Sequence, residues 1–165
     1  MNPLLNKEPV KRAERSIKEF DPNLKIICLE ETARTAQDAA TALSCNIGAI
    51  VKSLLFSSGD DFVLCLVSGD KRCSLNKLKK ILNKKDVSMA KPEDVKEITG
   101  YTIGGVSPVG HLTKVKIYID SSLKRFTTVF AAAGHPNCVF EINFNKLSNL
   151  TLGEIKELTE WDNQN

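Results

Sequence analysis

The chain has 165 residues, of which 42% are apolar and 26% charged, and its net charge is +3. This length suits one domain with a substantial core, and the composition excludes a disordered chain. It has neither the ~20-residue apolar run of a membrane-spanning helix nor an N-terminal signal peptide, so we expect one domain over residues 1–165, located in the cytoplasm.

The first half of the chain alternates predicted helices and strands. Apolar residues recur at helical spacing over 8–20, and a short apolar strand is predicted over 24–29. Thr35 is expected to cap a second helix, with an acidic residue at the fourth position as in a capping box. A hairpin follows, with strands over 50–56 and 62–68.

The second half continues in the same way. Ser74 is predicted to cap a basic helix, and Pro92 to begin another that ends at Gly100. Strands are predicted over 115–119, 127–133 and 138–142, followed by a tail over 145–160 that is helical in part. The predicted fold class is α+β: a single domain with a mixed, mostly antiparallel sheet surrounded by helices.

Glycine is concentrated in one loop of the chain. Four of the nine glycines lie between positions 100 and 110, together with Pro108, and His111 follows. Glycine permits a positive φ and a close approach of the main chain to a ligand, whereas proline fixes its own φ. The composition therefore predicts a loop of fixed shape around something small.

Lys52 is the charged residue of an otherwise apolar predicted strand. Because strand side chains alternate between faces, it shares a face with Ile50, Leu54 and Phe56. Its ammonium group either reaches water from a sheet edge or is held as a cation at the floor of a pocket. The alternation alone favours the first interpretation.

Cysteine and histidine leave two further kinds of chemistry open. The number of cysteines is five and no pair has C-x-x-C spacing, so reduced, mostly buried thiols are expected. Cys45 and Cys73, predicted in loops, leave a cysteine nucleophile open. His111 and His135 are the only histidines, and a zinc site built on them lacks a third ligand at standard spacing. No metal and no cofactor are expected.

Charge is unevenly distributed along the sequence. The segment 71–85 contains seven basic residues and no acidic one: Lys71, Arg72, Lys77, Lys79, Lys80, Lys84 and Lys85. The C-terminal end is acidic instead, with Glu154, Glu157, Glu160 and Asp162. The basic segment is either a solvated helix face or a surface that contacts phosphate groups.

The lysine strand, the glycine loop and the Gly134-His135-Pro136-Asn137 segment, predicted to be a turn, resemble the YbaK-type aminoacyl-tRNA deacylase family. This family includes the editing domain inserted in bacterial prolyl-tRNA synthetases and its free-standing relatives. The resemblance covers roughly residues 30–150. The segments that carry it are 35–40, 50–56, 67–70, 75–78, 104–111 and 132–135.

The resemblance implies hydrolysis of the ester that links a wrongly attached small amino acid to tRNA, mostly tRNA for proline. It implies catalytic roles for Lys52, Gly104, Gly105, Val106, Ser107 and Pro108. It implies substrate contacts for Ser53, Ser68, Gly134 and His135. The basic segment 71–85 would then contact tRNA phosphates.

The implied mechanism stabilises a tetrahedral oxyanion. Backbone N–H groups of Gly104 to Pro108 would bind the charge, and Lys52 would bind the substrate carbonyl or the terminal phosphate. No residue of the shared motifs is a compelling general base, so a positioned water attacks, helped by the neighbouring ribose hydroxyl. The alternative is a non-catalytic module on the same fold that binds tRNA or aminoacyl-tRNA.

Two positions depart from a fixed family pattern: the residue after the lysine, here Ser53, and the turn around His135. The amino acid removed is therefore open between alanine, serine or threonine, and cysteine. Nothing in the chain resembles the catalytic or anticodon-binding domain of a synthetase, so a free-standing editor is expected. Its expected partners are aminoacyl-tRNA and a prolyl-tRNA synthetase, with no DNA and no membrane.

Overall fold

The computed structural model describes residues 2–30 and 34–162, and five α-helices lie within these ranges. They are α1 (Glu8–Phe20), α2 (Ala36–Leu43), α3 (Leu75–Leu82), α4 (Pro92–Thr99) and α5 (Phe144–Thr151). Both predicted caps are confirmed: the Thr35 side chain accepts a hydrogen bond from the Asp38 N–H, and Ser74 from the Lys77 N–H. Gly100 ends α4 with a φ of 79°. None of these helices has the length and apolarity that would span a membrane.

Ten strands lie in the same part of the chain. They are β1 (Ile26–Cys28), β2 (Ile50–Ser58), β3 (Asp61–Ser68), β4 (Lys71–Cys73), β5 (Val87–Met89), β6 (Lys116–Asp120), β7 (Thr128–His135), β8 (Cys138–Asn143), β9 (Glu154–Lys156) and β10 (Thr159–Trp161).

Eight of these described strands form one sheet in the order β1-β8-β7-β2-β3-β6-β9, and β5 also pairs with β2. The pairs β2–β7, β3–β6 and β6–β9 are parallel. The other pairings are antiparallel. The remaining strands, β4 and β10, form a separate two-stranded ribbon, which we call the C-terminal ribbon. The predicted α+β fold with a mixed, mostly antiparallel sheet is confirmed.

The alternation of side chains along β3 separates two cores. Leu64 and Leu66 pack in the cluster that contains the buried side chains of α1. Cys65 and Val67 face the other way and pack with Leu78 of α3. The sheet is therefore covered on both faces, as expected for a strand whose apolar residues run without interruption.

One side of β2 changes partner along its length, and this feature creates the cavity described below. Ile50 and Val51 pair with β7, whereas Phe56 and the two residues after it pair with β5. Between these partners, the Leu55 carbonyl accepts from the Ala90 N–H at 2.9 Å. No strand of the described chain pairs with residues 52–54 on this side.

The C-terminal end differs most from the sequence prediction. The tail is helical only in α5, and the residues after it form β9 and β10, which are too short at three residues each for a period to be visible. The buried Asp120 carboxylate fixes this end, accepting from the Leu158 N–H at 2.7 Å and the Thr159 hydroxyl at 2.8 Å. The predicted 134–137 turn is shorter than expected, because Gly134 and His135 still belong to β7.

Candidate active site

A cavity of about 330 Å³ opens where β2 lacks a partner strand. Its lining combines β2, the start of α2, the glycine loop (100–110) and the β7–β8 hairpin. Four of the predicted site residues line it: Lys52, Ser53, Gly104 and Val106. The structure thus brings the strand lysine and the glycine loop to one cavity, although they are distant in sequence.

Lys52 is half-buried and its ammonium group is held by the C-terminal ribbon. The ammonium donates a hydrogen bond to the backbone carbonyl of Lys71. Burial lowers the pKa of Lys52 below its ordinary value, while the negative charges of Asp162 and Asp70 act in the opposite direction. The ammonium is therefore held by the ribbon and is not extended into water, and Lys52 itself belongs to the cavity lining.

The glycine loop presents main chain to the cavity. Gly104 has a φ of 91°, which favours glycine, and lines the cavity beside Val106. Gly105 points away: its N–H donates to the Thr102 carbonyl at 2.9 Å, and its carbonyl accepts from Gly134 at 3.0 Å. In the described chain the N–H groups of Gly104 and Val106 donate to no protein acceptor. Both residues line the cavity, so their N–H groups are candidate donors to a ligand, as is that of Ile103, whereas proline at 108 has no N–H.

Arg12 holds the two ends of this loop together, a role that the sequence did not reveal. Its guanidinium donates to the carbonyls of Gly110 and Gly100, each at 2.8 Å, and lies 4.6 Å from the centre of the Tyr101 ring. The Tyr101 hydroxyl donates to the Val109 carbonyl at 2.8 Å. The signal in the sequence was an arginine on the buried side of α1, but its partners lie far along the chain.

His111 closes the loop from its other side. Its Nε2 lies 2.7 Å from the Ser107 carbonyl, so this nitrogen carries the proton and donates. Burial lowers the pKa of His111, and the nearby Arg12 charge lowers it further, against the effect of the hydrogen bond to Ser107. Ser107 and Pro108 are themselves buried and lie outside the cavity lining.

The β7–β8 hairpin supports the glycine loop directly. A Cβ on Gly105 would lie 2.9 Å from the His135 Cα, so only glycine allows these two segments to approach this closely. His135 accepts the Asn137 N–H at its Nδ1, at 3.0 Å, which fixes the ring within the turn. Pro136 lines the cavity, whereas Gly134 and His135 do not belong to the lining.

The two predicted substrate-binding serines occupy different environments. The Ser53 hydroxyl is buried, and within the described chain it has no hydrogen-bond partner, although its residue lines the cavity. Ser68 lies outside the lining and belongs to a structural network: its hydroxyl donates to the Gly48 carbonyl and accepts from Arg125 at 2.8 Å. Ser53 is therefore part of the cavity lining, whereas Ser68 belongs to the structure around it.

No carboxylate or imidazole of residues 2–30 and 34–162 lines the cavity. The same residues contain no group of three metal-ligating side chains. Cys45 and Cys73 also lie outside the lining. Burial raises the pKa of Cys45, and a hydrogen bond with Cys65 lowers that of Cys73. The polar residues of this mostly apolar lining are thus the basic Lys52 and Arg34 and the hydroxyl-bearing Ser53 and Thr35, beside the main chain of the glycine loop. Arg34 was not singled out from the sequence.

The basic segment 71–85 is partly neutralised by acidic residues from distant parts of the chain. Arg72 pairs with Glu160 at 3.0 Å and Lys77 with Glu157 at 3.5 Å. Lys84 pairs with an aspartate at the start of β3. Within the described residues, the other four basic side chains form no ion pair: Lys71, Lys79, Lys80 and Lys85. The two charge blocks of the sequence therefore meet in the fold.

The chain is similar in sequence to known proteins over most of its length. Residues 30–150 match the family model described as the aminoacyl-tRNA editing domain. The chain belongs to this family. It is 35% identical over 127 residues to the uncharacterized protein YwhH of Bacillus subtilis, covering 76% of this chain and 80% of that protein.

The chain is also similar to part of larger proteins and to a solved structure of similar length. A proline–tRNA ligase of Thermosipho melanesiensis is 37% identical over 112 residues, which is 68% of this chain but only 20% of the ligase. A crystal structure described as a candidate trans-editing enzyme for prolyl-tRNA synthetase is 35% identical. It has a TM-score of 0.89, with 93% of this chain and 98% of that chain covered. The editing-domain fold is therefore shared along nearly the whole chain.

Proposed function

We propose that the protein hydrolyses the ester bond of mischarged aminoacyl-tRNA in trans, acting on tRNA for proline that carries a small amino acid. One observation carries the proposal: a single cavity is lined by Lys52, whose ammonium is held by the C-terminal ribbon, and by Gly104 and Val106, whose N–H groups have no acceptor in the described chain. The family assignment and the likeness to a candidate trans-editing enzyme support it. The reaction would take place in the cytoplasm, together with prolyl-tRNA synthesis.

The proposed chemistry follows from the charge that develops on the ester. Water adds to the ester carbonyl carbon and the carbonyl oxygen becomes an oxyanion. The C–O bond to the terminal ribose then breaks, and the ribose oxygen takes up a proton. Donors that are already oriented stabilise such an oxyanion strongly. Gly104 and Val106 would donate to it, and Lys52 would bind the carbonyl or the terminal phosphate.

In this proposal the substrate itself supplies the group that assists the attacking water. Since the described cavity lining has no carboxylate or imidazole, the attacking water would be positioned by the ribose hydroxyl next to the ester. A tRNA that ends in 2′-deoxyadenosine lacks this hydroxyl. We expect its aminoacyl ester to be hydrolysed far more slowly, and an unchanged rate would exclude help from the hydroxyl.

The acyl group is expected to be small because the cavity that would hold it has a limited volume. The lining is mostly apolar, and the volume of about 330 Å³ must hold part of the terminal ribose as well as the amino acid. Alanine, serine, threonine and cysteine are the candidates of this size. Ser53, which lines the cavity, would influence the choice between alanine and the candidates that carry a polar group.

The decisive experiment scores a panel of mischarged tRNAs for loss of the amino acid. We expect the wild-type protein to release one or more small amino acids from tRNA for proline, and Lys52→Ala to lower turnover by at least ~100-fold. Lys116→Ala is the matched control, since Lys116 is an exposed strand lysine outside the cavity. Full activity of Lys52→Ala would contradict the assignment. Tight tRNA binding with no hydrolysis of any member would identify a non-catalytic binding module.

A further inference from the structure

A solvent-exposed tryptophan lies on the C-terminal ribbon, next to the strand that holds Lys52. Trp161 is the only tryptophan of the chain and is 55% exposed. It lies directly opposite Lys71 in the β4–β10 pairing. The Lys71 carbonyl is the group that accepts the hydrogen bond from the Lys52 ammonium. One strand pair and one hydrogen bond thus connect the indole to the cavity wall.

Two cations surround the Trp161 ring, and they are held differently. Arg125 lies 5.2 Å from the ring centre and is fixed by two hydrogen bonds to Asp70, one to Ser68 and one to the Ser122 carbonyl. The Lys71 ammonium lies 3.8 Å from the ring centre and forms no ion pair within the described residues. The arginine is a fixed support for the indole, whereas the lysine ammonium can leave it.

The neighbouring acidic side chains do not cancel this basic character. Asp70 is paired with Arg125 at 2.7 Å, and Glu160 with Arg72 at 3.0 Å. The third acidic group, Asp162, contributes its charge to the environment of Lys52. The surface around the indole is therefore an exposed aromatic ring bordered by guanidinium and ammonium groups, a combination that suits single-stranded nucleic acid.

We propose that Trp161 is a stacking platform for an unpaired nucleobase near the 3′ end of the RNA substrate, with Lys71 contacting the adjoining phosphate. The proposal rests on the function proposed above, because an ester on the terminal ribose brings a single-stranded 3′ end to Lys52. Stacking of a base on an aromatic ring is generally stronger than an exposed cation–π contact. An arriving base would therefore displace the Lys71 ammonium, which then pairs with phosphate.

The single tryptophan makes the proposal directly measurable. Titration of the wild-type protein with a short RNA that ends in CCA should quench the tryptophan fluorescence saturably. The same RNA with abasic sites in place of its terminal bases should bind more weakly, without that quenching. Inorganic phosphate should produce no quenching. If the CCA-ended and abasic RNAs behave alike, the contact is electrostatic and the stacking proposal is wrong.

Steady-state kinetics on mischarged tRNA provide the second test. Trp161→Leu keeps an apolar side chain on the ribbon but removes the aromatic face, and we expect it to raise KM by roughly ten-fold with little change in kcat. Trp161→Tyr should retain most of the affinity. Leu152→Ala is the control, since Leu152 is 86% exposed on another part of the surface.

The outcomes separate this proposal from the proposed function. Unchanged KM in Trp161→Leu, together with normal hydrolysis, overturns the platform and leaves the deacylase intact. Saturable quenching by CCA-ended RNA in a protein that hydrolyses no mischarged tRNA supports the platform and overturns the deacylase. A loss of kcat in Trp161→Leu at unchanged KM would show that the indole only supports Lys52, which also contradicts the platform.

Discussion

The glycine-loop wall of the cavity is shaped by main chain, whereas the Lys52 wall is held by charge. On the first wall, Gly104 and Val106 present N–H groups, and the loop is fixed by hydrogen bonds to its own carbonyls. On the second wall, one ammonium is positioned by the C-terminal ribbon and by the field of Asp70 and Asp162. Shape and electrostatics of the candidate site can therefore be altered separately.

The largest expected effect comes from the support of the glycine-loop wall. In Gly134→Ala, the new Cβ would lie 2.6 Å from the Pro9 carbonyl oxygen and 2.8 Å from the Val10 nitrogen, at a φ of 91°. Backbone atoms cannot yield as a flexible side chain does, so we expect the free energy of unfolding to fall by more than about 3 kcal/mol. Urea denaturation measures this change.

The matched control for Gly134 is Gly59. Gly59 also has a positive φ, of 62°, but a Cβ placed there meets nothing within 4 Å. Gly59→Ala should therefore cost only about 1 kcal/mol, from backbone strain alone. If Gly134→Ala and Gly59→Ala lowered the free energy of unfolding equally, the contact between β7 and the start of α1 would not support the loop.

The sequence predicted the local parts of both walls and missed the long-range ones. The positive φ of Gly100 and Gly104, the Thr35 cap and the Ser74 cap depend on neighbouring residues, so patterns over a few positions reveal them. The hydrogen bonds of Arg12 join residues 98 and 88 positions apart, and no local pattern encodes them.

The C-terminal ribbon is the clearest case of a missed element. Its two strands have three residues each, and the pairing of Lys71 with Trp161 joins the basic segment to the acidic end of the chain. The two charge blocks were visible in the sequence, but their contact was not. The ribbon also decides where the Lys52 ammonium lies, so the lysine could be singled out from sequence while its environment could not.

For the Lys52 wall we expect a smaller effect, which is a change in the pH dependence of kcat. Asp70 raises the pKa of Lys52, against the larger effect of burial. Asp70→Asn removes this negative charge, so the pKa of Lys52 falls further and deprotonation begins at lower pH. We expect the alkaline limb of the kcat profile to move to lower pH, with turnover near neutral pH little changed.

The stability cost of the same variant should be modest. The ion pair of Asp70 with Arg125 is partly exposed, so Asp70→Asn should lower the free energy of unfolding by about 1 kcal/mol. Asp61→Asn is the control, because Asp61 also pairs with a basic residue but does not act on Lys52. A kcat profile of Asp70→Asn that coincides with that of the control would remove Asp70 from the electrostatics of the cavity.

The glycine-loop wall has a titratable group of its own, and it predicts the smallest effect. The pKa of His111 is lowered from an ordinary value of 6.5, chiefly by burial. Between the lowered pKa and about 6.5, the unfolded chain binds more protons at this position than the folded chain, so the free energy of unfolding falls as the pH decreases. Above about 6.5 both states are neutral there and the contribution is constant.

His111→Gln isolates this contribution, because an amide can still donate to the Ser107 carbonyl but does not titrate. Unfolding is measured from pH 7.5 to 5.5 in both proteins, and the titration of His135 and of the carboxylates is common to them. We expect the wild type to lose up to about 1 kcal/mol more than the variant over this interval, since one proton changes stability by at most about 1.4 kcal/mol per pH unit. If the free energy of unfolding changed with pH in parallel in the two proteins, protonation of His111 would not destabilise the folded loop. In that case the glycine-loop wall would be insensitive to charge, and the contrast with the Lys52 wall would be sharper than proposed.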